Sequence, residues 1–197
     1  MSIAEKLTTI ADNQQAVFDA GIKSEYDRFW DLHQDYGKPT GYSNKFFAWK
    51  AANYKPKYPI IVTANSSSQS CFAYCGITDT LVDITFSKGC DVQYFFQQCT
   101  SLKTVRKITC DKTSKLTSLF YNCSALTNVT FEGEIGYGFR VSYSSAITHD
   151  SLMSIINHLY DYSSEGGTYT MTFGATNLAK LTDAEKAIAT QKGWTLA

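Results

Sequence analysis

Phe120-Tyr121-Asn122-Cys123-Ser124-Ala125-Leu126-Thr127-Asn128-Val129-Thr130-Phe131 is the stretch whose reading decides the fold. It opens with an aromatic and a cysteine spaced Phe-X-X-Cys, passes through a Ser-X-Leu turn, and ends on Val129-Thr130-Phe131. That ending alternates apolar, polar, apolar, the period-two signature of a half-buried strand. The same order recurs upstream. Phe96-Gln97-Gln98-Cys99 and Phe72-Ala73-Tyr74-Cys75 place the motif at 72, 96 and 120, one copy every 24 residues.

The copies extend beyond the motif. Thr100-Ser101-Leu102 answers Ser124-Ala125-Leu126, whereas the first copy reads as carrying three extra residues that move its leucine to Leu81. Strand-like stretches follow at 81–86, 102–110 and 126–131, the second lengthened by an insertion. Ahead of the motif, Val92 and Phe95 align with Leu116 and Leu119. Ile60-Ile61-Val62 reads as a strand that begins the same sheet. A period of this length is the mark of a solenoid, because one coil cannot bury its own apolar face and stacked coils can. Phe72, Phe96 and Phe120 are expected to form one internal ladder, Cys75, Cys99 and Cys123 a second, with Leu102 and Leu126 beside them.

The cysteines invite two other readings. Strands stack ~4.8 Å apart, while bridged cysteines need Cβ atoms ~3.5–4.5 Å apart, so an in-register ladder is too wide for disulfides. Zinc needs four converging ligands, and a linear ladder does not converge; Cys71-X3-Cys75 has no second matching pair. Free, buried thiols are the expectation.

The stretch 120–131 resembles the repeat of BspA-type leucine-rich repeat proteins, whose pattern has an aromatic, a Cys-Ser-X-Leu turn and a Thr-rich strand. The third copy matches closely, the second fairly, and the first departs after Cys75. The resemblance covers about a third of the chain. It implies a binding or structural scaffold, often at microbial surfaces, and brings no catalytic residue with it.

The N-terminal segment has a different period. Ile3, Leu7, Ile10, Gln14, Val17 and Gly21 are separated by 4, 3, 4, 3 and 4 residues, the heptad seam of a coiled coil. Ser2 and Glu5 are spaced as a capping box. Ile3, Leu7, Ile10, Gln14 and Val17 are therefore the expected oligomerisation residues, and isoleucine at the seam leans toward a homotrimer. Tyr26, Phe29, Trp30 and His33 continue a helical stripe that Gly37 and Pro39 end. Residues 38–68 form an aromatic linker with the first strand. The segment from Met1-Ser2-Ile3-Ala4-Glu5-Lys6-Leu7 to Phe29-Trp30-Asp31 resembles the start of tail-associated proteins encoded by phages and prophages of gut Firmicutes.

Past residue 143 the reading is an α/β cap. Thr148 caps a helix over 149–160 with Leu152, Ile155, Ile156 and Leu159 on one face, and Thr168–Phe173 alternates like a strand. Thr182-Asp183-Ala184-Glu185 is a capping box opening a helix through Lys192, and Gly193 suits the left-handed position after it. The run Leu178-Ala179-Lys180-Leu181-Thr182-Asp183-Ala184-Glu185-Lys186-Ala187-Ile188-Ala189, with Lys192-Gly193-Trp194, resembles the ending of phage-encoded leucine-rich repeat proteins.

Composition narrows the function. Charged residues are 18% and the formal net charge is zero, which leaves no clustered cations for nucleic-acid phosphates. No apolar run reaches the ~20 residues of a membrane span, and the N-terminus lacks a signal peptide. Nucleophilic catalysis needs a base and a group to orient it, and the only histidines are His33, His149 and His158. His149-Asp150 at a helix start and His158 near its end have ordinary helix roles. Gly133, Gly136 and Gly138 are not spaced as a phosphate-binding loop and are expected to end the third coil.

The expected fold class is α+β: an N-terminal coiled-coil-like helix (1–37), the aromatic linker (38–68), a short leucine-rich repeat β-solenoid (69–142) and a C-terminal α/β capping module (143–197). The resemblances imply a non-enzymatic phage or prophage tail or baseplate protein, made in the host cytoplasm and carried in the virion tail. No catalytic residue, cofactor or metal is expected. The expected partners are copies of itself, other tail or baseplate proteins, and a host-surface glycan or protein, with no membrane insertion. The alternative is a bacterial cell-surface adhesin or protein-interaction module.

Overall fold

Four short strands run in one direction and pair in the order in which the chain meets them. They are β1 (Ile60–Val62), β2 (Asp79–Phe86), β3 (Thr104–Cys110) and β4 (Asn128–Gly133), forming one parallel sheet in the order β1-β2-β3-β4. The structure is a computed structural model that describes residues 60–62, 69–70, 72–74 and 76–197. The heptad residues Ile3, Leu7, Ile10, Gln14 and Val17, and Cys75 of the first motif, lie outside the described residues.

Because sequential strands are parallel neighbours, each connection must leave the end of one strand and return to the start of the next. The register follows the period: Ile84 pairs with Ile108, Phe86 with Cys110, and Val105 with Val129. The strands shorten in turn from 8 to 7 to 6 residues. One extra residue is bulged out at each step, between Thr80 and Asp83 and again between Val105 and Ile108. A bulge leaves a residue unpaired and sharpens the local twist. It absorbs the insertion that the sequence reading finds in the second copy.

The first copy needs a correction. Thr78 accepts from the Lys103 amide, just as Lys103 accepts from Thr127, so Ile77 is the equivalent of Leu102 and Leu126. Ile77 is 2% exposed. Leu81 lies inside β2, and the extra residues of this copy belong to its strand.

Opposite the sheet, the turns make a second hydrogen-bonded wall. The amides of Tyr94, Phe96 and Gln98 donate to the carbonyls of Thr117, Leu119 and Tyr121, and those of Ser70, Phe72 and Tyr74 donate to Gln93, Phe95 and Gln97. Alternate amides thus bridge to the next coil. The turns themselves close through two columns of left-handed residues, Ser70, Tyr94 and Ser118 (φ 57, 59 and 58) and Tyr74, Gln98 and Asn122 (φ 61, 60 and 57).

The core lies between these walls. Phe95, Phe96, Leu102, Ile108, Leu116, Leu119, Phe120, Leu126 and Phe131 are all fully buried. Each such side chain contributes about 1.5–3 kcal/mol relative to exposure. Phe72, Phe96 and Phe120 stack with centroids 5.7 Å apart at each step, and the series ends on an edge contact with Phe139 at 5.9 Å.

A fourth turn follows that the Phe-X-X-Cys search does not find. Ser144 donates its amide to Val141, Ile147 to Ser144, and Thr148 to Thr127. These are the bonds that Cys123, Leu126 and Thr127 make one coil earlier. Val141, Tyr143, Ser144 and Ile147 therefore stand for Phe120, Asn122, Cys123 and Leu126. The offset is 21 residues in place of 24 (144 − 123). Gly136 admits the close approach this shortening needs, since a Cβ there would sit 1.9 Å from the Lys112 carbonyl oxygen.

Where a fifth strand would pair, a helix lies instead. This is α1 (His149–His158), capped by the Thr148 side chain. The Ser151 and Ser154 hydroxyls accept from the Val129 and Phe131 amides of β4 at 3.0 and 2.8 Å. Those amides face outward from the last strand and would otherwise lack the partners that buried backbone groups require. The chain continues through β5 (Tyr169–Met171), α2 (Ala175–Leu178), α3 (Asp183–Gln191) and β6 (Trp194–Leu196), with β5 and β6 parallel. Thr182 and Glu185 form the capping box of α3, and Gly193 is left-handed at φ 81. All the described residues fall within one compact unit.

Candidate functional site

The repeat-ladder residues predicted from sequence are drawn together in the interior. Phe72 is nearly buried, and Phe96, Cys99, Leu102, Phe120, Cys123 and Leu126 are fully so. Each thiol spans two coils. Cys99 Sγ donates to the Phe72 carbonyl and Cys123 Sγ to that of Phe96, both at 2.9 Å. Ser144 holds the same rung, its hydroxyl donating to the Cys123 carbonyl at 2.7 Å. Ser114 makes the same exchange with Cys90 on the coil before it, its hydroxyl lying 3.2 Å from the Ser87 carbonyl. The position selects a small buried donor, sulfur or oxygen.

Cys90, Cys99, Cys110 and Cys123 are all buried. Burial pushes the Cys110 thiol up to about 12 and raises those of Cys90 and Cys123. A thiol is nucleophilic only as its thiolate, so these serve as packing and hydrogen-bonding groups. Among the described residues no three His, Cys, Asp or Glu side chains are grouped to hold a metal ion.

The two described histidines, His149 and His158, lie at the start and the end of α1. His149 Nε2 lies 2.9 Å from Glu185 Oε1, joining α1 to α3. That contact raises the His149 pKa, while the Thr182 backbone amide is the main cause holding Glu185 below its usual range. His158 Nδ1 bonds the Ser154 carbonyl at 2.8 Å within its own helix.

The cap aromatics are spent on one another. Tyr162 stacks on Tyr169 at 3.6 Å, Trp194 donates its indole N–H to the Tyr160 carbonyl at 2.8 Å, and Lys112 lies over the Tyr160 ring at 3.7 Å. Sequence reasoning missed two anchors of this module, Asn177 and Lys180. The Asn177 amide, fully buried, lies within 3.0–3.3 Å of the carbonyls of Phe173, Val141 and Ser144. Lys180 donates to Ser145 and Ile147 at 2.7 and 2.6 Å. Both tie the cap to the fourth turn. Their signal is spatial, since nothing in the sequence links Asn177 to carbonyls more than thirty residues away.

Two outer faces remain. The sheet face carries charges that already pair: Asp83 with Arg106 at 3.1 Å and with Lys107 at 3.3 Å, and Lys107 with Glu132 at 3.3 Å. Exposed pairs of this kind hold together loosely.

The turn face is of another kind. The fold aligns Tyr74, Gln98, Asn122 and Tyr143 as one column, one residue from each turn. Tyr74 is 37% and Tyr143 41% exposed. The Asn122 side-chain amide donates to Gln98 Oε1 at 2.6 Å. Tyr121 meets Tyr143 edge to face at 5.2 Å, and the Arg140 guanidinium lies 5.8 Å from the Tyr143 ring centroid. The proximity of the two hydroxyls raises the Tyr121 pKa and lowers that of Tyr143; Arg140 lowers Tyr143 further. Tyr94, also 37% exposed, stands in the neighbouring left-handed column. Beside the face Asp91 is held by Gln69 at 2.8 Å and by Lys115 at 3.9 Å.

The chain matches no protein-family model, no curated protein and no solved structure.

Proposed function

We propose that this chain is a non-enzymatic assembly and recognition protein of a phage or prophage tail or baseplate. In this reading residues 69–142 are a leucine-rich repeat β-solenoid, residues 143–197 close it, and the N-terminal heptad seam joins copies into a trimer. The seam also attaches them to neighbouring tail proteins, and the repeat domain faces the host surface.

One observation carries the reading. Positions that repeat are interior and positions that vary are exterior. Phe, Cys and Leu recur at the buried rungs, while the outward column runs Tyr74, Gln98, Asn122, Tyr143. A constant interior under a variable surface is how repeat scaffolds present binding faces. Among the described residues, His149 and His158 are engaged in helix contacts, and Cys90, Cys99, Cys110 and Cys123 in core packing.

The assembly half is tested by light scattering on the full chain. An oligomer is expected at micromolar concentration, and deletion of residues 1–24 should give a monomer that has lost helical dichroism but keeps the cooperative unfolding of the repeat. A full-length chain that runs as a clean monomer would sink the assembly claim.

A further inference from the structure

The turn face differs in chemistry from the rest of the described surface. Its four segments, 70–74, 94–98, 118–122 and 139–143, contain no carboxylate and no lysine, and Arg140 is their one charged side chain. Three of the four exposed tyrosines among the described residues, Tyr74, Tyr94 and Tyr143, stand on it. Between them lie the amides of Gln98 and Asn122. Tyrosine offers a rigid apolar ring with a polar tip, and amides and hydroxyls supply adaptable donors and acceptors, at low cost in conformational entropy. The backbone beneath is fixed by the turn ladder, so the side chains start from a preorganised platform.

The layout is linear. Tyr74 and Tyr143 stand three coils apart, and at a coil spacing of ~4.8 Å this spans about 14 Å. The advance per coil is of the order of one pyranose ring. Protein hot spots instead gather aromatic and arginine side chains around a desolvated centre. Nucleic acid would need several cations, and this face has one.

We infer that the turn face binds an extended acidic polysaccharide laid across the coils. Its sugar rings stack on Tyr74 and Tyr143, its hydroxyls meet Gln98 and Asn122, and its anionic substituent meets Arg140. This rests on the recognition reading above and names the ligand class for it.

The test uses the full chain in native affinity electrophoresis through gels holding polygalacturonate, wall polysaccharide extracted from the host bacterium, or neutral dextran. At least one acidic gel is expected to retard the protein more than dextran does. Tyr74→Gln and Tyr143→Asn place on the column residues that it already carries elsewhere, so the fold should hold. Each should weaken retardation roughly three- to tenfold. Arg140→Gln should remove the preference for acidic over neutral polymer, and Thr130→Ala on the sheet face should change nothing. Retardation by neither acidic polymer, or retardation that both tyrosine variants leave intact, overturns the inference. Binding to whole host cells separates the two claims. Binding that survives periodate but not protease treatment of the cells overturns the polysaccharide while leaving the recognition reading in place. No cell binding at all overturns recognition itself.

Discussion

At the scale of the residue, the cysteines carry the clearest lesson. Their spacing invites redox or metal chemistry, and the geometry instead gives the thiols of Cys99 and Cys123 a carbonyl on the coil before. With Cys71→Ser and Cys75→Ser as background, the native protein should show no fast-reacting thiol toward a disulfide reagent at pH 8. Four should appear in denaturant, those of the buried cysteines 90, 99, 110 and 123. Cys123→Ala strands the Phe96 carbonyl and should cost about 1–3 kcal/mol, whereas Cys123→Ser keeps a donor and should cost less; urea titration measures both. The Phe and Cys rungs were legible because they repeat at one spacing. Ser144 was not, because serine replaces cysteine there, valine replaces phenylalanine, and the interval drops to 21 residues (144 − 123). The turn-face tyrosines were visible as residues, but their exposure was not. Exposure depends on the neighbouring coils, which local sequence does not specify.

At the scale of the element, the interface between β4 and α1 closes the sheet. A last parallel strand leaves outward amides that invite another strand. Two serines one turn apart on a helix satisfy them. The double variant Ser151→Ala/Ser154→Ala should destabilise the fold by about 2–6 kcal/mol, twice the ~1–3 kcal/mol of one unsatisfied buried group. The same variant should show faster hydrogen exchange at Val129 and Phe131. The helices were legible through their caps, Thr148 and the Thr182–Glu185 box, since cap chemistry is local. α2 and β6, at four and three residues, were not. Elements this short are held by tertiary contacts, here the Asn177 amide and the pairing with β5. The strand bulges were read as insertions, because a sequence shows the surplus residue and not which side of the turn absorbs it.

At the scale of the whole molecule, array and cap depend on each other. Residues 143–197 supply α1, the Asn177 and Lys180 anchors and the fourth rung, so their removal leaves Phe131 and Phe139 facing water. A chain truncated after residue 142 should bind a hydrophobic dye, lose its near-ultraviolet dichroism and unfold without a sharp urea midpoint. Cooperative unfolding of that fragment would mean that the coils close themselves. The left-handed columns have a consequence of their own. Among the described residues, six that are not glycine hold positive φ, at a cost of roughly 1–2 kcal/mol each. Glycine or asparagine would relieve it, and only Asn122 among the six is either. Random mutagenesis followed by selection for heat tolerance alone would therefore drive Tyr74 and Tyr94 toward glycine, erasing the face while improving the scaffold. Tyrosines that persist through such a selection would have to be held there by something other than the stability of the turn.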